Sequence, residues 1–189
     1  MSGPTFIECD RVELQTVEEE DIEFLQRGVN QPEVRHHIEA FRTPINGEQY
    51  RELFESIDSD EDGVTLLVVP HEGVSAGDPI GSVQLYPVNH ARGFANLGVW
   101  FMPQTWGNGY ATEASAYLID YGFQQLGLHR ISAVSNSPNE ASISLCERLG
   151  FVHEGTSREL GFVDGEYIDL ERYGLLATEW DGPQAVLGQ

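Results

Sequence analysis

A turn with two glycines stands directly before a strongly apolar segment in the middle of the chain. The turn reads Gln104-Thr105-Trp106-Gly107-Asn108-Gly109, and the pattern after it predicts a helix that begins at Tyr110. Glycine permits positive φ and lets an anion approach backbone N–H groups closely. The amino end of a helix adds partial positive charge. This spacing therefore favours a diphosphate site that needs no basic side chain, with an ordinary turn into a core helix as the alternative.

Two common nucleotide-binding patterns are absent. The sequence contains no GxxxxGK[ST] loop and no G-x-G-x-x-G fingerprint. The strand before the turn also belongs to a predicted antiparallel meander, whereas the dinucleotide fingerprint requires a βαβ unit. Nucleoside triphosphates and dinucleotides are therefore disfavoured as ligands.

Charge is the unusual feature of the composition. The 189 residues include 31 acidic and 10 basic ones, all ten of them arginine, for a formal net charge of -21. A chain this acidic repels nucleic acid phosphates, so we expect no nucleic acid partner. A folded, acidic and lysine-free surface is typical of halophilic proteins, because at molar salt the Debye length falls to about 3 Å.

Other broad classes are also disfavoured. No stretch of 18 residues is continuously apolar, and the first residues show neither a basic start nor an apolar signal core. We therefore expect no membrane partner and a cytoplasmic location. Cys9 and Cys146 stand far apart and form no metal-ligand spacing, so we expect no metal and no disulfide scaffold.

Hydrophobic periodicity predicts the order β-α-α-α-β-β-β-α-β-α-β-β. The predicted strands are 11–17, 64–70, 79–86, 93–102, 129–135, 151–158 and 167–175, and the predicted helices are 18–29, 32–39, 46–57, 110–126 and 139–149. This order predicts an α+β fold around one mostly antiparallel sheet. We expect a single domain over 11–178, with terminal extensions at 1–10 and 179–189 and a frayed tail from Asp181.

Two motifs in register resemble a known family. Gln104-x-x-Gly107-x-Gly109 is similar to the Gln/Arg-x-x-Gly-x-Gly/Ala motif of the GNAT superfamily of acyl-CoA-dependent N-acetyltransferases. The string from Trp106 to Ala114 resembles the Rim-type branch, which includes ribosomal-protein N-terminal acetyltransferases. Asn139-Glu140-Ala141-Ser142, followed by Gly150-Phe151, resembles that branch's second signature. The resemblance extends over about 11–176, nearly the whole chain.

The resemblance implies a twisted sheet with splayed central strands flanked by helices, and acetyl-CoA bound in the gap. It implies a bulge that frees N–H groups near Phe101 and Met102 for the pantetheine arm. It also implies that Gln104 orders the turn, that Asn139 binds pantetheine and that Arg148 reaches the adenosine phosphate. The backbone groups implied for the diphosphate are those of Gly107, Asn108, Gly109, Tyr110 and Ala111.

The family chemistry is direct attack of an amine on acetyl-CoA, so the amine loses a proton and the leaving thiolate gains one. Many relatives supply that proton from a tyrosine where this sequence has Cys146. The Rim-type branch is thought to use a serine one helical turn earlier, where Ser142 stands. Ser142 is therefore the acid candidate, and the alternative is that it only caps its helix. Cys146 is expected to be a small buried residue.

A carboxylate on the last two strands is the expected base. Glu159, Glu166 and Asp169 are the candidates, with Glu159 first because the comparable strand end in relatives carries a glutamate. In a chain with 31 acids, each one alone is more often surface charge. His36 and His37 could line the acceptor mouth, although a surface position is favoured.

The expected function is acetyl transfer from acetyl-CoA to a primary amine, either a protein N-terminus of the ribosomal-protein kind or a small amine. No feature of the sequence chooses between these acceptors. The alternative is a non-catalytic acyl-CoA-binding sensor or partner-binding module of the same fold. By analogy with the family, a homodimer is plausible.

Overall fold

The computed structural model describes residues 3–38, 43–59, 63–73 and 75–188, with the backbone alone for 55–59. The strands are β1 (Thr5–Glu8), β2 (Val12–Thr16), β3 (Val64–Pro70), β4 (Gly81–Asn89), β5 (Phe94–Phe101), β6 (Arg130–Asn136), β7 (Val152–Val163) and β8 (Glu166–Leu176). The α-helices are α1 (Ile22–Val29), α2 (Pro32–Arg35), α3 (Gly47–Ser59), α4 (Tyr110–Gln124), α5 (Glu140–Arg148) and α6 (Pro183–Leu187).

All eight strands form one sheet in the order β1-β2-β3-β4-β5-β6-β8-β7. Neighbouring strands are antiparallel except β5 and β6, which are parallel and are joined through α4. The predicted α+β fold with a mostly antiparallel sheet is confirmed.

The two parallel strands pair over only a short stretch. Their register runs from Phe94 opposite Arg130 to Asn96 opposite Ser132. Beyond that point β5 remains paired with β4, and β6 remains paired with β8 as far as Asn136. The carboxyl halves of β5 and β6 therefore separate, and the predicted splay of the central strands is confirmed.

Helices cover both faces of the sheet. On one face α4 packs with α5, and its fully buried Leu118 and Ile119 join the main core with Leu85 and Ile131. On the other face, α1 and α3 bury a smaller cluster of Ile22, Leu25, Val29, Tyr50 and Leu67, with Trp100 packed against it. As predicted, α4 is buried along most of its length because it is apolar nearly all round. Within the part of the chain that the structure describes, no helix is both long and apolar enough to cross a membrane.

Both chain ends are more structured than predicted. Strand β1 lies outside the predicted 11–178 domain but pairs with β2, and Phe6 contacts the Tyr121 ring edge-on at 5.2 Å between centroids. The tail expected to fray from Asp181 forms α6 instead. Gly182 at φ 91° turns the chain, and Val186 packs against the main core. The prediction of a frayed tail was wrong. Val186 contacts core residues that are distant in sequence, and the local sequence after Asp181 does not reveal such a contact.

The last hairpin is longer than predicted. Strands β7 and β8 continue to Val163 and from Glu166, and a two-residue turn joins them. Both turn residues have positive φ, 50° for Asp164 and 88° for Gly165, as the Asp-Gly signal predicts. The extra length brings the hairpin tip to a cavity that α2 and the end of β6 also line.

Candidate active site

Two helices begin at the same edge of the sheet, beside the gap. Because β5 and β6 are parallel, their carboxyl ends lie at one edge, and each strand leads into a helix there. Strand β5 continues through the glycine turn into α4, and β6 continues through Ser137 and Pro138 into α5. This arrangement directs two sets of helix N–H groups toward the gap, which is favourable for a negatively charged ligand.

Both glycines of the turn have a left-handed backbone. Gly107 has φ 78°, and Gly109, which caps α4, has φ 80° and ψ 0°. Other residues adopt these angles only with strain. A Cβ on Gly107 would meet no described atom within 4 Å, so its requirement for glycine comes from the backbone. The predicted conformational reason for both glycines is confirmed.

Side chains of the turn's own residues hold its shape. Thr105 Oγ1 donates to Met102 O at 2.8 Å, and Trp106 Nε1 donates to Phe101 O at 2.8 Å. Asn108 Nδ2 donates to Thr105 O at 3.0 Å and to Trp106 O at 3.2 Å. These bonds satisfy two carbonyls at the end of β5 and two within the turn, and they hold the backbone of the turn in place.

The predicted bulge near Phe101 and Met102 is wrong. Strand β4 pairs with β5 in regular register as far as Phe101, and Met102 N donates to Ile80 O at 2.8 Å. The irregularity lies on β4 instead, between Leu85 and Val88. The Met102 N–H is thus committed to the sheet. Because N–H groups alternate along a strand, the Phe101 N–H points to the other side, toward the gap.

The start of α5 forms the other wall. Asn139 caps the helix, with its Oδ1 accepting from Ser142 N at 3.2 Å. The side chain that caps α5 is thus that of Asn139 and not the hydroxyl of half-buried Ser142. Burial, and secondarily Glu147, raises the pKa of the Cys146 thiol to about 11, so Cys146 is the small buried residue expected.

A groove runs along α2 toward the hairpin tip. One cavity of about 400 Å³ lies between α2, the end of β6 and the tip of the β7–β8 hairpin. A second, of about 420 Å³, lies between α2 and the glycine turn and shares Pro32 and His36 with the first. We call the two together the α2 groove. Its described lining is Pro32, Glu33, Arg35, His36, His37, Ile38, Trp106, Asn136, Phe162, Val163 and Asp164.

Two histidines occupy the centre of the α2 groove. His36 Nε2 lies 3.6 Å from Asp164 Oδ2 on the hairpin tip, and the His36 and His37 rings meet edge-on at 5.1 Å. Burial lowers the pKa of His37, and the neighbouring His36 lowers it further. The lowered pKa favours the neutral imidazole of His37, which is the form that a general base requires. The His36 side chain is 40% exposed, as the favoured surface position predicts, and both histidines line the α2 groove.

Comparison with known proteins supports this geometry. Residues 11–152, well over half of the chain, match the family model described as the acetyltransferase (GNAT) domain. The chain belongs to the GNAT acetyltransferase family.

Similar GNAT proteins differ in the acceptor that their names state. The chain is 30% identical to the N-acetyltransferase p20 of Bacillus licheniformis over 92% of this chain and 97% of that one. It is 29% identical to spermidine N(1)-acetyltransferase of Escherichia coli over 94% and 92%. It is 35% identical to YdaF of Bacillus subtilis, named as a ribosomal N-acetyltransferase, over 56% of this chain and 58% of that one.

A solved structure agrees in fold along most of the chain. Spermidine N-acetyltransferase from Vibrio cholerae, in complex with CoA and spermine, superposes with a TM-score of 0.81 at 25% identity, over 90% of this chain and 98% of that one. The GNAT fold is therefore confirmed, and this chain is an N-acetyltransferase.

Three residues predicted for the GNAT site lie less centrally than expected. Gln104 is exposed, and within residues 75–188 the hydrogen bonds that hold the turn come from Thr105, Trp106 and Asn108. Arg148 is exposed in the last turn of α5. Glu159 is exposed on β7, where its N–H donates to Asp169 Oδ1 at 2.8 Å, and it is outside the described lining of the α2 groove.

The sequence reasoning missed Asn136, Arg35 and Asp164 in the groove, and Arg11 behind the glycine turn. The sequence indicates only a turn at Asp164-Gly165, and the position of Asp164 in the groove depends on how far the hairpin extends. A signal for Arg11 did exist, because Glu113 and Asp120 are the two carboxylates on a helix that is otherwise apolar nearly all round, and a buried carboxylate needs a polar partner. The structure pairs these two residues, with Arg11 Nε donating to Glu113 Oε2 at 2.7 Å.

Proposed function

We propose that this GNAT enzyme transfers an acetyl group from acetyl-CoA to a primary amine held in the α2 groove, either a protein N-terminus, as in the Rim-type branch, or a small amine. The main support is the left-handed glycine turn that begins α4 at the open gap between β5 and β6. An acceptor in the adjoining groove would reach the acetyl group from the opposite side of that gap.

Backbone groups would hold the diphosphate of acetyl-CoA. The fit rests on the exposed turn, its two left-handed glycines and the helix amino end, which together present N–H groups to an anion. The groups proposed are those of Gly107, Asn108, Gly109, Tyr110 and Ala111. The Phe101 N–H and the Asn139 amide would bind the pantetheine arm, and Arg148 would bind the adenosine phosphate.

The reaction needs one base and one acid. The neutral amine attacks the thioester carbonyl, a C–N bond forms, the C–S bond breaks, and the sulfur leaves as a thiolate. Ser142 donates a hydrogen bond or a proton to that sulfur. For the base that takes the proton of the amine we place His37 first, because it lines the groove and its lowered pKa favours the neutral ring. Glu159 remains the second candidate.

The groove carries charges of both signs. Glu33 and Asp164 would attract an ammonium group, whereas Arg35 beside them disfavours a long polycation. Phe162 and Ile38 offer apolar surface next to the carboxylates. This mixture favours a peptide N-terminus, which has one charge and an adjacent side chain, over a polyamine.

A homodimer in the cytoplasm remains part of the proposal. One structure of the Vibrio cholerae spermidine N-acetyltransferase is described as dodecameric, so assembly occurs among similar proteins. Light scattering of this chain in molar KCl, which screens its charge of -21, measures the state directly.

An acceptor screen tests the function. The enzyme and acetyl-CoA are mixed with N-terminal peptides, spermidine or an aminoglycoside, and release of free thiol is followed with a thiol reagent. We expect release above background with at least one peptide and a higher kcat/KM for it than for spermidine. Faster turnover of spermidine would overturn the peptide assignment. No release with any amine, despite CoA binding, would favour the non-catalytic module.

A further inference from the structure

Arg11 connects the start of β2 to the glycine turn and to α4. Its backbone N donates to Glu113 Oε1 at 2.5 Å, and its Nε donates to Glu113 Oε2 at 2.7 Å. Its Nη1 donates to Asn108 O at 3.0 Å, and its guanidinium carbon lies 5.3 Å from the centroid of the Tyr110 ring. One side chain thus contacts the turn, the first residue of the helix and a carboxylate one helical turn further on.

Glu113 is a buried charge close to the proposed anion site. Its side chain is 1% exposed, and it lies in the first turn of α4. The helix dipole favours a carboxylate there, but a buried carboxylate without a partner is strongly destabilising. Its charge also acts on a neighbour, because Glu113 adds to the effect of burial in raising the pKa of the Cys9 thiol.

A carboxylate and a diphosphate at the same helix end repel each other unless a cation lies between or beside them. Arg11 is the cationic side chain that the structure places on Glu113. The guanidinium also fills the space behind the turn, since a Cβ on Gly109 would lie 3.2 Å from Arg11 Nη2. Its bond to Asn108 O uses a carbonyl of the turn and leaves the turn's N–H groups for a ligand.

We infer that Arg11 is a positioning residue of the coenzyme site: it fixes the glycine turn through Asn108, and it neutralises Glu113, which would otherwise repel the diphosphate. This inference rests on the coenzyme placement proposed above. It assigns Arg11 a role in acetyl-CoA affinity and none in the acetyl-transfer step itself.

The test measures CoA affinity by calorimetry in Arg11→Gln, Glu113→Gln and the double variant, beside wild type. We expect Arg11→Gln to weaken CoA binding by about tenfold, since it leaves one unpaired carboxylate near the diphosphate. The double variant should recover most of that loss, because the repelling charge is gone. Arg11→Lys, which keeps the charge but not the forked contacts, should fall between wild type and Arg11→Gln.

A matched control separates this role from stability alone. Arg130→Gln removes the same charge from another Arg–Glu pair, with Glu154, at the amino end of β6. It should lower the unfolding temperature and leave CoA affinity unchanged. In steady state, Arg11→Gln should raise the KM for acetyl-CoA with kcat unchanged at saturation.

The outcomes are distinguishable. CoA affinity in Arg11→Gln equal to wild type, or a double variant that binds no better than Arg11→Gln, would overturn the inference. If Arg11→Gln does not fold, the comparison of Arg11→Lys with wild type decides, and equal affinity there overturns it. Wild type that binds no CoA would remove the coenzyme placement and the inference together.

Discussion

The glycine turn and the α2 groove adjoin each other, since Trp106 of the turn also lines the groove, but they are built in opposite ways. The turn is made from consecutive residues, its ligand groups are backbone N–H, and its geometry depends on left-handed angles at Gly107 and Gly109. The groove is made from side chains on α2, β6 and the hairpin tip, which are far apart in sequence.

We expect the backbone site for the coenzyme to be shared among GNAT enzymes and the side-chain site for the acceptor to differ between them. A backbone site binds any ligand with the right diphosphate, whatever side chains surround it. A side-chain site changes whenever one of its segments changes. The similar proteins fit this division, since a solved structure in complex with CoA shares the fold, and two relatives are named for different acceptors.

The largest effect should come from breaking the turn. Gly109→Val puts a β-branched residue at φ 80° and its Cβ against Arg11, so the N–H groups of the turn move out of position. We expect CoA affinity to fall by about 100-fold or more, as several hydrogen bonds to an anion are lost together. Gly127→Val is the matched control, because Gly127 has φ 65° after α4 with no described atom near its Cβ. Equal CoA affinity in Gly109→Val and Gly127→Val would contradict the placement, because backbone strain outside the turn would then have the same effect as strain within it.

A smaller effect is expected at Ser142, in the first turn of α5. Ser142→Ala removes the hydroxyl proposed to serve the leaving sulfur, so kcat should fall by about 10- to 100-fold, near the lower end for a general acid. CoA affinity should hardly change, because Asn139 still caps α5 through the backbone of residue 142. Ser144→Ala, on the exposed side of the same helix, is the control. Unchanged kcat in Ser142→Ala would remove its acid role.

The groove should determine the pH profile. If His37 is the base, kcat/KM rises with pH through an apparent pKa below the ordinary 6.5, since burial and His36 favour the neutral ring. His37→Gln should lower kcat/KM by about 100-fold, within the usual range for a general base, and should abolish that limb. His153→Gln on exposed β7 is the matched control. A limb that persists in His37→Gln but disappears in Glu159→Gln would assign the base to Glu159 instead.

Salt should give the smallest change, and in opposite directions for the two regions. Between dilute buffer and molar KCl, screening of the -21 charge should strengthen CoA binding and raise the KM of a cationic acceptor, each by about several-fold. The unfolding temperature should rise over the same interval, as expected for a halophilic surface. Titration calorimetry, initial rates and thermal unfolding measure the three quantities. If salt strengthened the binding of both CoA and the cationic acceptor, or weakened the binding of both, the opposite charge preferences assigned to the two regions would be contradicted.

The sequence predicted the parts of the site that depend on local chain geometry. The two glycines, the start of α4 and the Asp-Gly turn each follow from the backbone freedom of a few adjacent residues. The separation of the central strands and the family were predicted from the resemblance that two motifs in register carry. The same reasoning placed a bulge at Phe101, where the register is regular and Met102 is bonded to Ile80.

The remaining features depend on contacts between distant segments. Arg11 and Glu113 are 102 residues apart, and His36 and Asp164 are 128 apart. Strand β1 and helix α6 likewise form because they pack on β2 and α4. None of these contacts produces a periodic pattern within one stretch of sequence. Predicting them therefore requires knowledge of the fold.

The central claim is that main-chain N–H groups at the start of α4 bind the diphosphate of acetyl-CoA. A crystal structure of the enzyme with CoA tests it most directly. The account predicts diphosphate oxygens within hydrogen-bonding distance of backbone N–H groups between Gly107 and Ala111, with Arg11 still paired to Glu113 behind them. A diphosphate bound to arginine side chains elsewhere, with the turn untouched, would contradict it.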